Sequence, residues 1–68
     1  MLVSQASART AYFRLLDAHR RAIVVHEHAA LRYEIRGARS EAAFERVRAE
    51  VERERLSLAR ELHPDWSD

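Results

Sequence analysis

The chain has 68 residues, no cysteine, one glycine, one proline and a formal net charge of +1. The lack of cysteine excludes disulfides and thiolate metal sites, and the length allows one small core at most. Charged residues make up 34% and hydrophobic residues 47%, twelve of the latter being alanine. That is a helical or coiled-coil composition, not a disordered one.

All twelve basic residues are arginine, and lysine and asparagine are absent. A GC-rich bacterial genome accounts for this more simply than selection for phosphate binding. The longest apolar run, Ala22 to Val25, is four residues, far short of the roughly 20 that span a bilayer. The N-terminus lacks the charged and apolar order of a signal peptide, so a cytoplasmic protein without membrane insertion is expected.

The first element is a helix predicted from about Ser7 to Arg36. One apolar row runs Ala8, Ala11, Leu15, Ala18, Ala22, Val25, Ala29, at steps of three or four residues. A second row beside it reads Tyr12, Leu16, His19, Ile23, His26, Ala30, Tyr33, in strict four-three alternation. Side chains three and four apart stack on one side of a helix, so the two rows merge into one broad stripe. Phe13, Val24 and Leu31 add a narrower stripe on the far side. Gly37 suits a left-handed C-cap, and Arg32 and Arg36 lie where the helix dipole favours cations.

A turn over 37–40 follows, with Ser40 as the expected N-cap and Glu41 in the first turn of a second helix. That helix is predicted over about 41–62, ended by Pro64, with a short tail over 63–68. Its large apolar residues, Phe44, Val47, Val51, Leu58 and Leu62, form a narrow seam broken by Glu54. A connection this short makes the helices antiparallel neighbours. Zipping back from the turn sets Phe44 near Tyr33, Val51 near His26, Leu58 near His19 and Leu62 near Leu15. The expected fold is all-α: one antiparallel two-helix hairpin over 1–68.

A narrow seam cannot cover a stripe spanning about half of a helix's circumference. Left bare, the remainder would form an apolar patch larger than soluble monomers usually expose. A dimer forming a four-helix bundle is the economical answer, and a partner protein's helix could take the same place. The expected interface is Ala11, Tyr12, Leu15, Leu16, Ala18, His19, Ala22, Ile23, Val25, His26, Ala29, Ala30 and Tyr33.

Four histidines, His19, His26, His28 and His63, invite a metal reading. None of the first three has another ligand at three or four residues' distance, and two turns, about 10.5 Å, separate His19 from His26. No metal and no cofactor are expected from one chain; a site shared across a dimer axis stays an alternative. Glu54 lies at a level between His19 and His26. It either joins them in a polar layer that fixes register or leans out to solvent. Trp66 either closes the open end of the hairpin against Arg9, Tyr12 and Phe13 or anchors in a partner.

Residues 1–40 carry seven arginines against three acids, or +4, and residues 41–68 carry five against eight, or −3. Arg14, Arg21, Arg32 and Arg36 share one polar edge of the first helix, which would suit phosphates. With no recognition-helix turn or aromatic-studded basic sheet, nucleic-acid binding is the second reading. Catalysis finds no support, since a single glycine cannot build a phosphate-cradling loop and no nucleophile has a base and an acid nearby.

Ser40-Glu41-Ala42-Ala43-Phe44-Glu45-Arg46-Val47, followed by Glu54-Arg55-Leu56-Ser57-Leu58, resembles the helical cytoplasmic tail of bacterial sodium/proton antiporters. That resemblance implies a third reading, a helical accessory tail or subunit of a larger assembly, and transfers no functional residue. In size the hairpin is similar to small secretion chaperones and phage-type inhibitors. The leading expectation is a non-enzymatic protein–protein interaction module: an adaptor, a chaperone-like subunit or a protein inhibitor.

Overall fold

The structure is a computed structural model and describes residues 4–66. Two helices account for nearly all of them: α1, Gln5–Ile35, and α2, Arg39–Leu62. They pack side by side as an antiparallel hairpin of 51 × 20 × 17 Å. The all-helical hairpin expected from the periodicity is therefore present.

Capping chemistry sets both ends of α1. Ser4 stands in extended conformation just before the helix, and its hydroxyl accepts from the Ser7 backbone N–H at 3.1 Å. This satisfies one of the donors that a helix start leaves orphaned. The helix thus begins two residues earlier than Ser7, because Ser4 and not Ser7 takes the cap. At the other end the Ala38 N–H bonds the Tyr33 carbonyl at 2.8 Å and the Gly37 N–H bonds the Glu34 carbonyl at 2.9 Å. These are the paired bonds of a Schellman motif, with Gly37 at φ 78° in its left-handed position.

This compact exit alters the expected start of α2. Ala38 occupies the N-cap position without a side-chain hydrogen bond, and Arg39 is already helical. Ser40, expected as the cap, lies exposed within the first turn. The chain leaves the Schellman turn already aimed along the second helix, so the reversal takes residues 36–38, one fewer than predicted. α2 ends at Leu62 ahead of Pro64, as expected.

The inner row of α1 is Tyr12, Leu16, His19, Ile23, His26, Ala30 and Tyr33, every one buried or half-buried. On α2 and its C-cap the matching row is Ala42, Glu45, Ala49, Glu52, Leu56, Ala59 and His63, again in three-four alternation and again buried or half-buried. Phe44, Val47, Val51, Leu58 and Leu62 do not form the seam. They are exposed, with Phe44 at 56%, Leu58 at 61% and Leu62 at 75%. The physical reason is complementarity of size and charge. Alanines on α2 admit the bulky residues of α1, and glutamates on α2 meet the histidines of α1.

The core is correspondingly thin. Tyr12, Leu16 and Ala59 are buried together, with Phe13, Leu56 and Trp66 packed around them. Leu16 is the one large side chain that is fully buried among the described residues. Trp66 folds back over this end of the hairpin, stacked on His63 at 3.8 Å and edge-on to Tyr12 at 5.2 Å. The Arg9 guanidinium lies 5.6 Å from its ring. This is the aromatic lid; of the tail, residues 67 and 68 lie outside the described residues.

Two stability measurements test this packing. Replacing Gly37 with alanine forces a side chain into left-handed backbone with nothing crowding it, so chemical denaturation should show a loss of about 1 kcal/mol from the backbone alone. The Tyr12 hydroxyl is buried without a hydrogen-bond partner among the described residues. Tyr12→Phe should therefore leave the denaturation midpoint unchanged or raise it, by up to about 1 kcal/mol.

Candidate functional site: an open apolar face beside a histidine–glutamate seam

Two imidazole–carboxylate pairs join the helices. His19 Nδ1 lies 2.6 Å from Glu52 Oε2, and His26 Nδ1 lies 2.6 Å from Glu45 Oε2. An ionised carboxylate only accepts, so each imidazole carries its donating proton on Nδ1. Each glutamate also holds an arginine three residues further on: Arg55 reaches Glu52 at 3.0 Å and Arg48 reaches Glu45 at 3.8 Å. Histidine, glutamate and arginine each recur after seven residues, so one His–Glu–Arg unit is repeated a heptad apart along the seam.

The repeat has an electrostatic consequence at Glu52. The hydrogen bond from His19 holds its carboxyl below the usual carboxylate value, with burial opposing and the Arg55 charge assisting. His19 and His26 thus each meet a carboxylate, those of Glu52 and Glu45. Of the two readings of Glu54, the exposed one holds: its side chain is out in solvent and does not join the histidines. It sits two residues from both Glu52 and Leu56 and so points away from α1, whereas Glu45 and Glu52 are in the inner row. The break in the row of large apolar residues marks Glu54, whereas three-four spacing from the alanines Ala42, Ala49 and Ala59 marks Glu45 and Glu52.

On one flank of the seam a second set of ion pairs closes the hairpin. Arg53 bonds Glu27 at 3.0 Å and Arg46 pairs with Glu34, again with both partners displaced by seven residues. Glu27, Leu31, Arg46, Glu50 and Arg53 line a shallow hollow on this side. The flank is polar and internally paired, although Val24 and Leu31 remain half-exposed there.

The opposite flank is open. Leu15, Leu58 and Leu62 line one hollow together with His19, Arg55 and Glu61. Val47 and Val51 line the next with His26, Arg48 and Arg55. Phe44 follows beside Tyr33, Ser40, Glu41 and Glu45. The levels expected from zipping back along the hairpin hold to within about two residues, and Phe44 shares its hollow with Tyr33, Val51 with His26, Leu58 with His19 and Leu62 with Leu15. Those side chains stand at the rim of the seam and not within it.

The thirteen residues expected to form one interface are divided by the fold. Tyr12, Leu16, His19, Ile23, His26, Ala30 and Tyr33 are turned to α2 of the same chain. Leu15, Ala18, Val25 and Ala11 stay exposed, and Ala22 and Ala29 are half-buried, on the flank that also carries the large apolar residues of α2. The open face is therefore built by both helices and is not the property of α1 alone. Trp66, considered as a partner anchor, is held against Tyr12 and His63.

Among the described residues no group of three or more histidine, cysteine, aspartate or glutamate side chains is placed to hold a metal ion. No helix there is long and apolar enough to cross a membrane. Known family models, curated proteins and solved structures give no match to this chain.

The seam predicts an acid response. Glu52 has its value lowered by folding, so the stability it contributes is complete above the ordinary glutamate range and is lost as pH falls through the lowered value. Glu52→Gln should reduce stability at neutral pH and flatten the loss of helicity on acidification below the ordinary value of 4.5. At concentrations low enough to leave a single hairpin, Glu54→Gln should change neither, as followed by circular dichroism.

Proposed function

We propose that the chain is a small protein–protein interaction module whose working surface is the open face, and that it self-associates as a dimer, two hairpins closing into a four-helix bundle. In this reading it serves as an adaptor, a chaperone-like subunit or a protein inhibitor. The observation that carries the reading is the reversal of burial. Phe44, Val47, Leu58 and Leu62 are more than half exposed, while α2 turns alanine and glutamate inward. A helix that spends its large apolar residues on the outside has a use for them there.

Two further features support it. The thin core of Tyr12, Leu16 and Ala59 is small for a chain of this length, and association is a common supplement below about 70–80 residues. The broad side of the hairpin, from its 51 × 20 Å extents, is on the order of 1,000 Å², comparable to the roughly 800 Å² that each partner buries in a stable complex.

Light scattering and thermal unfolding over a hundredfold range of concentration test this. A dimer gives twice the chain mass and a melting temperature that rises with concentration. Leu58→Gln and Val51→Gln make sharper probes. In an isolated hairpin these exposed positions would change stability by no more than about 0.5 kcal/mol. At a bundle interface each should cost about 2 kcal/mol or more and abolish the concentration dependence. A folded, concentration-independent monomer that tolerates both substitutions would overturn the reading.

A further inference from the structure

The fold leaves certain charges without a counterion, and their placement selects one way of pairing two hairpins. On α1, Asp17 pairs with Arg20, Glu27 with Arg53 and Glu34 with Arg46. On α2, Glu45, Glu50 and Glu52 each hold an arginine. Arg14 and Arg21 on α1, and Glu54 and Glu61 on α2, are exposed and enter no ion pair among the described residues. The arginines are seven residues apart, as are the glutamates, so each pair forms one column along its helix.

These columns cannot meet within one chain. Arg21 is two residues from both His19 and Ile23 of the inner row, and Glu54 is two residues from both Glu52 and Leu56. At 100° per residue each side chain is turned well away from the other helix. The hairpin therefore carries a basic outer edge on α1 and an acidic outer edge on α2, with the open apolar face between them.

Two symmetric arrangements bring open face against open face. With the two-fold axis across the helices, α1 lies on α1 of the second copy, and the arginine column faces its own image. With the axis parallel to the helices, α1 lies antiparallel on α2 of the second copy, and the arginine column runs beside the glutamate column. Like charges set together oppose association, and opposite charges at a rim steer it.

Register supports the second arrangement. Within the hairpin Tyr12 meets His63 and Leu16 packs with Ala59, so the inner rows face each other at residue numbers that sum to 75. Rotation about an axis parallel to the helices preserves level, so Arg21 and Arg14 come level with Glu54 and Glu61 of the second copy. At about two residues' offset, roughly 3 Å, the small residues Ala22 and Ala29 stand opposite Val51 and Phe44, large against small. The open-face arginines Arg48 and Arg55 are already held by Glu45 and Glu52.

Building on the self-association argued above, we infer that the occupant of the open face is a second copy related by a two-fold axis parallel to the helices, with Arg14 and Arg21 of each copy pairing with Glu61 and Glu54 of the other. The bundle then has antiparallel neighbours on every side, and identical helices stand diagonally.

Charge reversal in trans tests the pairing. Arg21→Glu and Glu54→Arg each place two like-charge contacts in a homodimer and should weaken association roughly tenfold. Both positions are exposed, so circular dichroism should show the helices retained. Mixed in equal amounts, the two variants form a heterodimer in which both contacts are again opposite in charge. Its affinity should return to near that of the parent, with a heterodimer-dominated native mass spectrum. A chain carrying both substitutions should also recover. If the parent dimerises but the mixture is no tighter than either variant alone, the edge pairing is wrong and the interaction-module reading stands. If the parent is monomeric throughout, both fall.

Discussion

The hairpin depends on the two hydrogen bonds between imidazole and carboxylate across its seam. The inner row of α2 offers mostly alanine and glutamate, with Leu56 as its only large aliphatic residue. An apolar seam of that composition would be too weak to hold two helices of this length in register, because alanine buries little surface. The 2.6 Å contacts at His19–Glu52 and His26–Glu45 supply part of the missing specificity. They also satisfy polar groups that would otherwise be costly so close to a core.

Placing glutamates inward has an outward consequence. With Ala42, Glu45, Ala49 and Glu52 committed to the seam, the helical repeat carries Phe44, Val47, Val51 and Leu58 to the flank, where they stay exposed. The residues that could have formed a conventional apolar core between α1 and α2 are thereby released for another surface. Charge follows the same division. The flank closed by Arg53–Glu27 and Arg46–Glu34 is internally balanced, whereas on the outer edges beside the open face Arg14, Arg21, Glu54 and Glu61 enter no ion pair among the described residues.

Much of this fold is legible in the sequence. The single glycine and single proline mark the turn and the end of α2, and the second apolar row of α1 is the seam residue for residue. The level of each helix against the other also follows from the short connection. What periodicity of large apolar residues could not reveal is which face of α2 turns inward. Alanine and glutamate score as filler and surface when α2 is read alone. They become a seam only when set against the tyrosines and histidines of α1, which is a property of the pair. The start of α1 differs for a smaller reason: periodicity sets no sharp beginning, and the Ser4 hydroxyl, accepting from the Ser7 N–H, fixes it.

The repeat of the His–Glu–Arg unit creates an ambiguity that the ends of the hairpin resolve. Sliding α2 by one heptad would still pair His19 with Glu45, while His26 would be offered Ala38 and Glu52 would be offered Tyr12. A seam of two identical units therefore tolerates a seven-residue slip at the cost of one pair, and cannot define register by itself. The Schellman turn at Gly37 is too short to supply the seven extra residues such a slip requires. At the far end the stacking of Trp66 on His63 and its edge contact with Tyr12 would be lost in the slipped state. Register is thus a joint property of a tight turn, two polar layers and an aromatic lid.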